Sequence, residues 1–187
     1  MVDALRPAVF LDRDGVLNRS IVRGGKPYPP QTLDELEVMP GAAEAVQQLK
    51  QAGFVTVIVT NQPDVAKGTQ TRDVVDAINT HVMTETGVDH LYVCWCIEGD
   101  DCDCYKPKPG MLMDAARDHG LDLARSFMVG DRWRDVGAGI NAGCTSVLVN
   151  CNYAEPMCYD PTHTVEDISG AVRCILDSLE METHKNE

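Results

Sequence analysis

The chain has 187 residues, of which 44% are hydrophobic and 24% are charged, and its formal net charge at pH 7 is −13. This length suits one domain, and this composition excludes a disordered, fibrous or membrane-spanning protein. Because a net negative charge repels nucleic acid and phosphorylated metabolites alike, any anion site has to be built from local cations.

The sequence also bears on location and partners. No apolar run approaches the roughly 20 residues that a membrane-spanning helix needs. Residues 1–7 lack the basic and apolar regions of a signal peptide. We therefore expect a cytoplasmic monomer that binds neither membrane nor nucleic acid.

Short β-branched segments alternate with longer amphipathic segments, which is typical of a parallel sheet covered by helices. In chain order, the pattern predicts strands at 8–12, 54–60, 91–94, 127–130 and 145–149, and helices at 41–53, 71–86, 109–119, 133–142 and 165–179. Three stretches are predicted to be irregular, namely 18–39, 95–108 and 151–163. The sequence thus predicts an α/β fold with a doubly wound parallel sheet, in one domain over residues 1–180, followed by a flexible tail at 181–187.

The first predicted strand ends in two carboxylates, Asp12 and Asp14, and Gly15 then allows the chain to turn sharply. Ligands bind beyond the carboxyl ends of the strands in an open parallel sheet, so this position matters. The pair suits a nucleophile with an acid/base partner, or a shared metal site, although a turn or an exposed acid pair also explains it. Strand alternation predicts that Arg13 points away from both aspartates.

Three further polar groups follow later strands. Residues 60–62 place a hydroxyl and two amides where a phosphoryl oxygen can be held, or they form a simple strand-to-loop transition. Lys106 and Lys108 bring positive charge to a helix N-terminus, which favours anions, or they belong to a solvated loop. Asp131 and Asp135 open the fourth predicted helix, where acids also serve as partners of the helix dipole. For each motif alone, the non-functional explanation is adequate. It is improbable that all of them hold together, because every motif lies at the end of a predicted strand or the start of the helix that follows, in the order expected for one shared site.

Four of the eight cysteines lie within eleven positions, as two closely spaced pairs. Thiolates at this spacing can close a tetrahedral sphere around zinc in a cytoplasm that keeps them reduced. The alternative is a reduced or redox-active cluster without a metal. The four are Cys94, Cys96, Cys102 and Cys104; the others, expected to be small buried thiols, are Cys144, Cys151, Cys158 and Cys174.

Together, the strand-end motifs resemble those of the haloacid dehalogenase superfamily, whose pattern matches Asp12-x-Asp14, Thr60, Lys106 and Asp131-x-x-x-Asp135. The resemblance covers residues 8 to about 150. Within the superfamily, residues 12–18, 60–62, 129–131 and the cysteine segment resemble the subgroup of heptose bisphosphate and histidinol-phosphate phosphatases. This resemblance implies a Rossmann-like, capless single domain with a zinc-binding loop.

The resemblance further implies a magnesium-dependent phosphatase that removes the 7-phosphate of a D-glycero-D-manno-heptose 1,7-bisphosphate through an aspartyl phosphate. Asp12 would be the nucleophile, and Asp14 would be the general acid and base. Magnesium would be held by Asp12, the backbone carbonyl of Asp14 and Asp131, with Asp135 behind these ligands.

Around the phosphoryl group, the resemblance implies contacts from Thr60 and Lys106. The subgroup usually carries an arginine just before the motif lysine, where this chain has Tyr105, and a histidine where it has Cys96. Tyrosine supplies neither a positive charge nor the paired N–H donors with which arginine binds phosphate. Compensating cations are therefore expected from Arg23, Lys26, Lys108 or Arg132. The alternative is that these side chains are solvated surface charges. The predicted substrate contacts are Ser20, Arg23, Asn61, Gln62, Tyr105 and Arg132.

Two other functions compete with this prediction. One is a phosphatase for histidinol phosphate or another small metabolite, and the other is a non-enzymatic interaction module stabilised by zinc. The presence of every predicted catalytic group argues against the module. Polynucleotide phosphatases use similar motifs, but a net charge of −13 without a basic stripe argues against a nucleic-acid substrate.

Overall fold

Residues 4–185 are described by the computed structural model, and eight strands and five α-helices lie in this range. The strands are β1 (Ala8–Leu11), β2 (Ile21–Arg23), β3 (Lys26–Tyr28), β4 (Val55–Asn61), β5 (His90–Cys94), β6 (Phe127–Gly130), β7 (Thr145–Val149) and β8 (His163–Val165). The helices are α1 (Ala42–Gln51), α2 (Arg72–Thr86), α3 (Gly110–His119), α4 (Trp133–Ala142) and α5 (Ile168–Lys185).

Six of the strands form one parallel sheet in the order β5-β4-β1-β6-β7-β8. Leu11 at the end of β1 pairs with Ile58 of β4 on one side and with Val129 of β6 on the other. From β1 the chain proceeds outward to β4 and β5, and it then returns to β6 on the opposite side. The carboxyl ends of β1 and β6 therefore flank the switch point at which such sheets bind ligands.

Helices cover both faces of the sheet, as predicted. Alternate residues of β1 face opposite sides, so Val9 and Leu11 pack with α1, α2 and α5, whereas Ala8 and Phe10 pack with α3 and α4. All four residues of β1 are buried, which explains why this strand is apolar throughout. The doubly wound α/β architecture expected from the sequence is confirmed.

Two strand features were not predicted. Residues 21–28, within the stretch predicted to be irregular, form an antiparallel hairpin of β2 and β3 whose turn is Gly24 and Gly25, both at positive φ. Residues 163–165 form β8 at the edge of the sheet rather than the start of the last helix. Neither feature carries a long apolar run, because these strands have three residues each and stay partly exposed.

The predicted tail and the scattered cysteines also differ in part from the structure. Helix α5 continues to Lys185, so it enters the predicted tail, whose last two residues lie outside the described part of the chain. The prediction of buried thiols is right for Cys144 but wrong for Cys151 and Cys158, which are exposed because they lie in the irregular connection after β7. None of the described helices offers an apolar stretch long enough to cross a bilayer.

Neighbouring residues of α3 provide a test of how this helix packs. Leu112 is fully buried against the sheet, whereas Met113 is 54% exposed. We expect Leu112→Ala to lower the free energy of unfolding by about 2–5 kcal/mol, because it leaves a cavity, and Met113→Ala to change it by less than about 0.5 kcal/mol. Urea denaturation measures both variants, and equal destabilisation would contradict the orientation of α3.

Candidate active site

Three carboxylates converge at the switch point of the sheet. Asp12 follows β1, Asp131 follows β6, and Asp135 lies in the first turn of α4. All three residues are buried, and one carboxylate oxygen of each lies within 4.8 Å of the others. Such a group of oxygen ligands suits a hard divalent cation.

The ammonium group of Lys106 lies between two of these carboxylates. Its Nζ donates to Asp12 Oδ1 at 2.7 Å, to Asp135 Oδ1 at 2.5 Å and to the carbonyl of Val59 at 2.8 Å. The backbone of Lys106 is fixed as well, because its N–H donates to Asn61 Oδ1 and its carbonyl accepts from Asn61 Nδ2. Asn61, which the sequence predicts to be a substrate contact, thus also positions Lys106.

Burial and the neighbouring charges shift the pKa values of Asp12, Asp131 and Lys106. The pKa of Asp12 is raised to about 7 overall: burial is the largest cause, Asp135 and Asp14 also raise this pKa, and Lys106 lowers it. Burial, with Asp12 and Asp135, raises the pKa of Asp131 well above its usual range. Although burial lowers the pKa of Lys106, the two carboxylates beside it raise this pKa overall. One buried ammonium therefore does not neutralise three carboxylates.

The unused acceptor of Asp131 identifies where a further cation fits. Its Oδ2 accepts from the hydroxyl of Tyr153 at 2.7 Å, but its Oδ1 is buried without a hydrogen-bond partner in the described part of the chain. Gly15, at φ +92°, passes directly beside this side chain, and a Cβ there would collide with the carboxylate. The donor set and the orphaned oxygen together fit magnesium, which prefers carboxylate ligands.

Asp14 is held by a separate set of polar side chains. Arg13 Nη2 donates to both carboxylate oxygens, at 3.0 and 2.9 Å, while Asn18 Nδ2 donates to Oδ1 and Gln62 Nε2 to Oδ2. The prediction that Arg13 points away from both aspartates is therefore wrong for Asp14. Strand alternation does not extend this far, because β1 ends at Leu11. Arg13 is fully buried and also donates to Asn79 Oδ1.

A hydrogen bond also orients the predicted phosphate ligand Thr60. Gln62 Nε2 donates to Thr60 Oγ1 at 2.9 Å. Since this oxygen already accepts a hydrogen bond, its own proton remains available to an oxygen in the cleft.

The four clustered cysteines meet beyond the end of β5. Their sulfur atoms lie within 4.8 Å of one another, and Cys96 Sγ is 3.7 Å from Cys104 Sγ. Cys94 and Cys104 are in direct contact as a disulfide pair, whereas Cys96 and Cys102 are free thiols. A tetrahedral zinc site with Zn–S bonds of about 2.3 Å separates its sulfurs by about 3.8 Å. The distance between Cys96 Sγ and Cys104 Sγ matches this spacing, whereas Cys94 and Cys104 reach it only as reduced thiolates that have moved apart.

An open cleft of about 350 Å³ connects these parts. Among the predicted substrate contacts, Ser20, Asn61, Tyr105 and Arg132 line it, and Gln62 contacts its lining residues Asp14 and Thr60. Arg23 does not line the cleft: it is exposed on the hairpin, with its guanidinium over the ring of Tyr28.

The proposed compensating cations have different surroundings. Lys26 lines the cleft, and Arg132 lines it while donating from Nε and Nη2 to the carboxylate of Glu155. Lys108 instead donates to the carbonyl of Cys102 and does not line the cleft.

Several groups in this region were not predicted from the sequence. Tyr153 and Glu155 lie in the irregular connection after β7, whose path no local pattern specifies. Arg134 also lines the cleft, and its position one residue before a motif aspartate was a signal available in the sequence.

Comparison with known proteins agrees with this geometry. A model of the haloacid dehalogenase-like hydrolases matches residues 28–143. The D-glycero-D-manno-heptose-1,7-bisphosphate 7-phosphatase of Thermosynechococcus vestitus is 35% identical, and the alignment covers 93% of this chain and 97% of that protein. The D-glycero-beta-D-manno-heptose-1,7-bisphosphate 7-phosphatase of Pasteurella multocida is 39% identical over 74% of this chain and 78% of its own length.

A solved structure is similar over almost the whole chain. It is the D,D-heptose 1,7-bisphosphate phosphatase of B. bronchiseptica, complexed with magnesium and phosphate, at 31% identity and a TM-score of 0.77. The match covers 92% of this chain and 99% of that structure. Because the family model matches more than half of the chain and these relatives match most of it, the chain belongs to the haloacid dehalogenase-like hydrolase family.

Proposed function

We propose that this protein is a magnesium-dependent phosphatase that hydrolyses the 7-phosphate of a D-glycero-D-manno-heptose 1,7-bisphosphate. The observation that carries the proposal is the Lys106 ammonium between Asp12 and Asp135, next to Asp131, whose Oδ1 has no hydrogen-bond partner among the described residues. The names of the relatives support the substrate, since heptose bisphosphate phosphatases match this chain in sequence and in structure.

In the first step, a carboxylate oxygen of Asp12 attacks phosphorus and the bond from phosphorus to the sugar oxygen breaks. Lys106 keeps positive charge beside the attacking group, since its Nζ lies 2.7 Å from Asp12 Oδ1. Magnesium held by Asp12, Asp131 and the backbone carbonyl of Asp14 would supply further positive charge to the phosphoryl oxygens and would favour the ionised nucleophile.

Asp14 moves the protons. It gives a proton to the departing sugar oxygen, and it then takes one from the water that attacks the aspartyl phosphate and releases inorganic phosphate. Its hydrogen bonds from Arg13, Asn18 and Gln62 hold the carboxylate at the cleft, with 16% of the side chain exposed.

Thr60 and Lys106 hold the transferred group. The hydroxyl proton of Thr60 can donate to a phosphoryl oxygen because Gln62 occupies its acceptor side. Little covalent chemistry is needed beyond Asp12 and Asp14, since phosphoryl transfer is catalysed mainly by positioning and by neutralising charge.

Phosphate release from a panel of substrates tests the proposed substrate. The panel contains the α- and β-anomers of heptose 1,7-bisphosphate, fructose 1,6-bisphosphate and histidinol phosphate. We expect the highest kcat/KM with one of the heptose anomers. Preference for histidinol phosphate would replace the substrate while leaving the mechanism intact.

Replacing the nucleophile separates an enzyme from a binding module. We expect Asp12→Asn to lower kcat by at least about 10³-fold, because the amide cannot form the aspartyl phosphate. The fold should survive, since Lys106 keeps Asp135 as its partner. Asp160→Asn is the matched control, because Asp160 is exposed and does not line the cleft. Unchanged phosphate release in the Asp12 variant would contradict the assignment.

We also propose that the cysteine cluster binds one structural zinc ion, in a cytoplasm that keeps all four thiols reduced. The supporting observation is the convergence of four sulfur atoms within 4.8 Å. Four thiolates around zinc carry a formal charge of about −2, so the cluster would not attract phosphate. Its role is to fix the loop that carries Tyr105 and Lys106 into the cleft.

Metal analysis of protein purified under reducing conditions tests the zinc site. We expect about one zinc per chain in the wild type, since four thiolates complete a tetrahedral site, and a large loss of zinc in Cys96→Ser. Cys158→Ser should retain the metal, because Cys158 is an exposed thiol outside the cluster. A wild-type zinc content near zero would overturn this part of the proposal.

A further inference from the structure

Arg134 is a fixed guanidinium on the wall of the cleft. It lies in the first turn of α4, and its Cζ is 4.4 Å from the ring centroid of Trp133 and 5.8 Å from that of Tyr105. Trp133 in turn stacks on Tyr159, with an interplanar angle of 13°. Because aromatic rings pack around it, the side chain is only 14% exposed, and its orientation is set before any ligand arrives.

The hydrogen bonds of this guanidinium leave donors unused. Nη2 donates to Glu98 Oε1 at 2.7 Å, but the side chain of Glu98 is 71% exposed, and ion pairs of this kind contribute little stability. The Nε–H is buried and has no acceptor among residues 4–185. Arg134 therefore presents a preorganised cation whose present partner is easily exchanged.

The other cations that line the cleft are less suited to a second anion. Lys106 is bound to Asp12 and Asp135, and Arg132 donates from two nitrogens to Glu155. Lys67 pairs with Asp64 and is 51% exposed, and Lys26 is exposed on the hairpin. A solvated ammonium binds phosphate as a point charge, whereas a desolvated guanidinium can bind it with two parallel hydrogen bonds.

On the basis of the proposed function, we propose that Arg134 binds the second, non-reacting phosphate of the bisphosphate substrate and that Glu98 occupies Arg134 when the substrate is absent. The phosphate would take the place of the Glu98 carboxylate, so that the guanidinium is paired in both states. A sugar phosphate carries close to two negative charges at neutral pH and three acceptor oxygens, so it is the stronger partner. Arg134 is thereby the residue that distinguishes a bisphosphate from a monophosphate.

Steady-state kinetics on a matched pair of substrates tests this inference. The pair is heptose 1,7-bisphosphate and heptose 7-phosphate, which share the reacting phosphate and differ only in the second one. We expect Arg134→Gln to raise KM for the bisphosphate about 10- to 100-fold, the range for losing hydrogen bonds to a charged group, and to leave KM for the monophosphate within about twofold. Arg134→Lys should recover part of the difference, because it keeps the charge without the fork.

Two further variants sharpen the test. Glu98→Gln removes the competing carboxylate, so it should lower KM for the bisphosphate by about two- to fivefold, the range for an exposed ion pair. Arg125→Gln should change neither KM, because Arg125 is exposed just before the amino end of β6, opposite the cleft. Melting temperatures of all variants show whether Arg134→Gln folds; if it does not, Arg134→Lys and Glu98→Gln decide the question.

The outcomes separate this inference from the proposed function. An equal rise in KM for both substrates in Arg134→Gln would overturn the role of Arg134. A ratio of the two KM values that changes with Lys26→Ala but not with the Arg134 variants would overturn it as well. A wild-type protein inactive on both heptose substrates would overturn the proposed substrate alone. The same ratio can then be measured with fructose 1,6-bisphosphate and fructose 6-phosphate, and a wild type that prefers no bisphosphate would overturn the inference too.

Discussion

The site depends on one buried ammonium group shared by two carboxylates. Lys106 contacts Asp12, Asp135 and a backbone carbonyl of β4, and its side chain is 3% exposed. Burying carboxylates next to one another is costly unless a cation compensates them. Lys106 supplies one positive charge, and the pKa values of Asp12 and Asp131 are still raised, first by burial and then by the negative charge of the neighbouring carboxylates. Asp12, Asp131, Asp135 and Lys106, to which we assign the nucleophile, the metal site and the phosphate-binding cation, therefore form one network, in which no member can be placed independently of the others.

The topology of the sheet supplies this network from separate strand ends. Asp12 follows β1, Asp131 follows β6, and the Val59 carbonyl comes from β4, all at the carboxyl edge. Hydrogen bonds between strands fix these positions, whereas the lysine arrives on a loop and needs its own anchor. Asn61 supplies that anchor by binding the N–H and the carbonyl of Lys106. Lys106, although it lies on a loop, is thus held in position by hydrogen bonds as the strand residues are. Catalysis by positioning requires such fixed side chains.

Much of this arrangement was predictable from the sequence, for a physical reason. In a parallel sheet all carboxyl ends meet at one edge, so polar residues at predicted strand ends can be assigned to one site without knowledge of the path between them. The groups that the sequence did not reveal lie elsewhere. Tyr153 reaches Asp131 from an irregular connection, and Glu98 reaches Arg134 from the cysteine segment. Such contacts depend on the path of a loop, which follows from packing and not from periodicity. Arg13 was misjudged for a related reason, since alternation stops where the strand stops.

The charge of the cleft bears on how an acidic protein can select a bisphosphate substrate. Among residues 4–185, seven carboxylates and five cations line the cleft, and the whole chain carries −13, so the field of the protein's own side chains does not draw phosphate in. Under the proposed function, binding then comes from the magnesium ion that Asp12 and Asp131 would hold and from short-range contacts with cations such as Lys106 and Arg134, which are already paired. Lys106 shares Asp12 with the reacting phosphate, and Arg134 exchanges Glu98 for the other one. The exchange at Arg134 replaces a carboxylate by a group with more charge and more acceptors, so affinity depends on the presence of the second phosphate. An anion with only one phosphate leaves the Arg134–Glu98 pair in place, and in the proposed role of Arg134 this difference is the physical basis for favouring a bisphosphate.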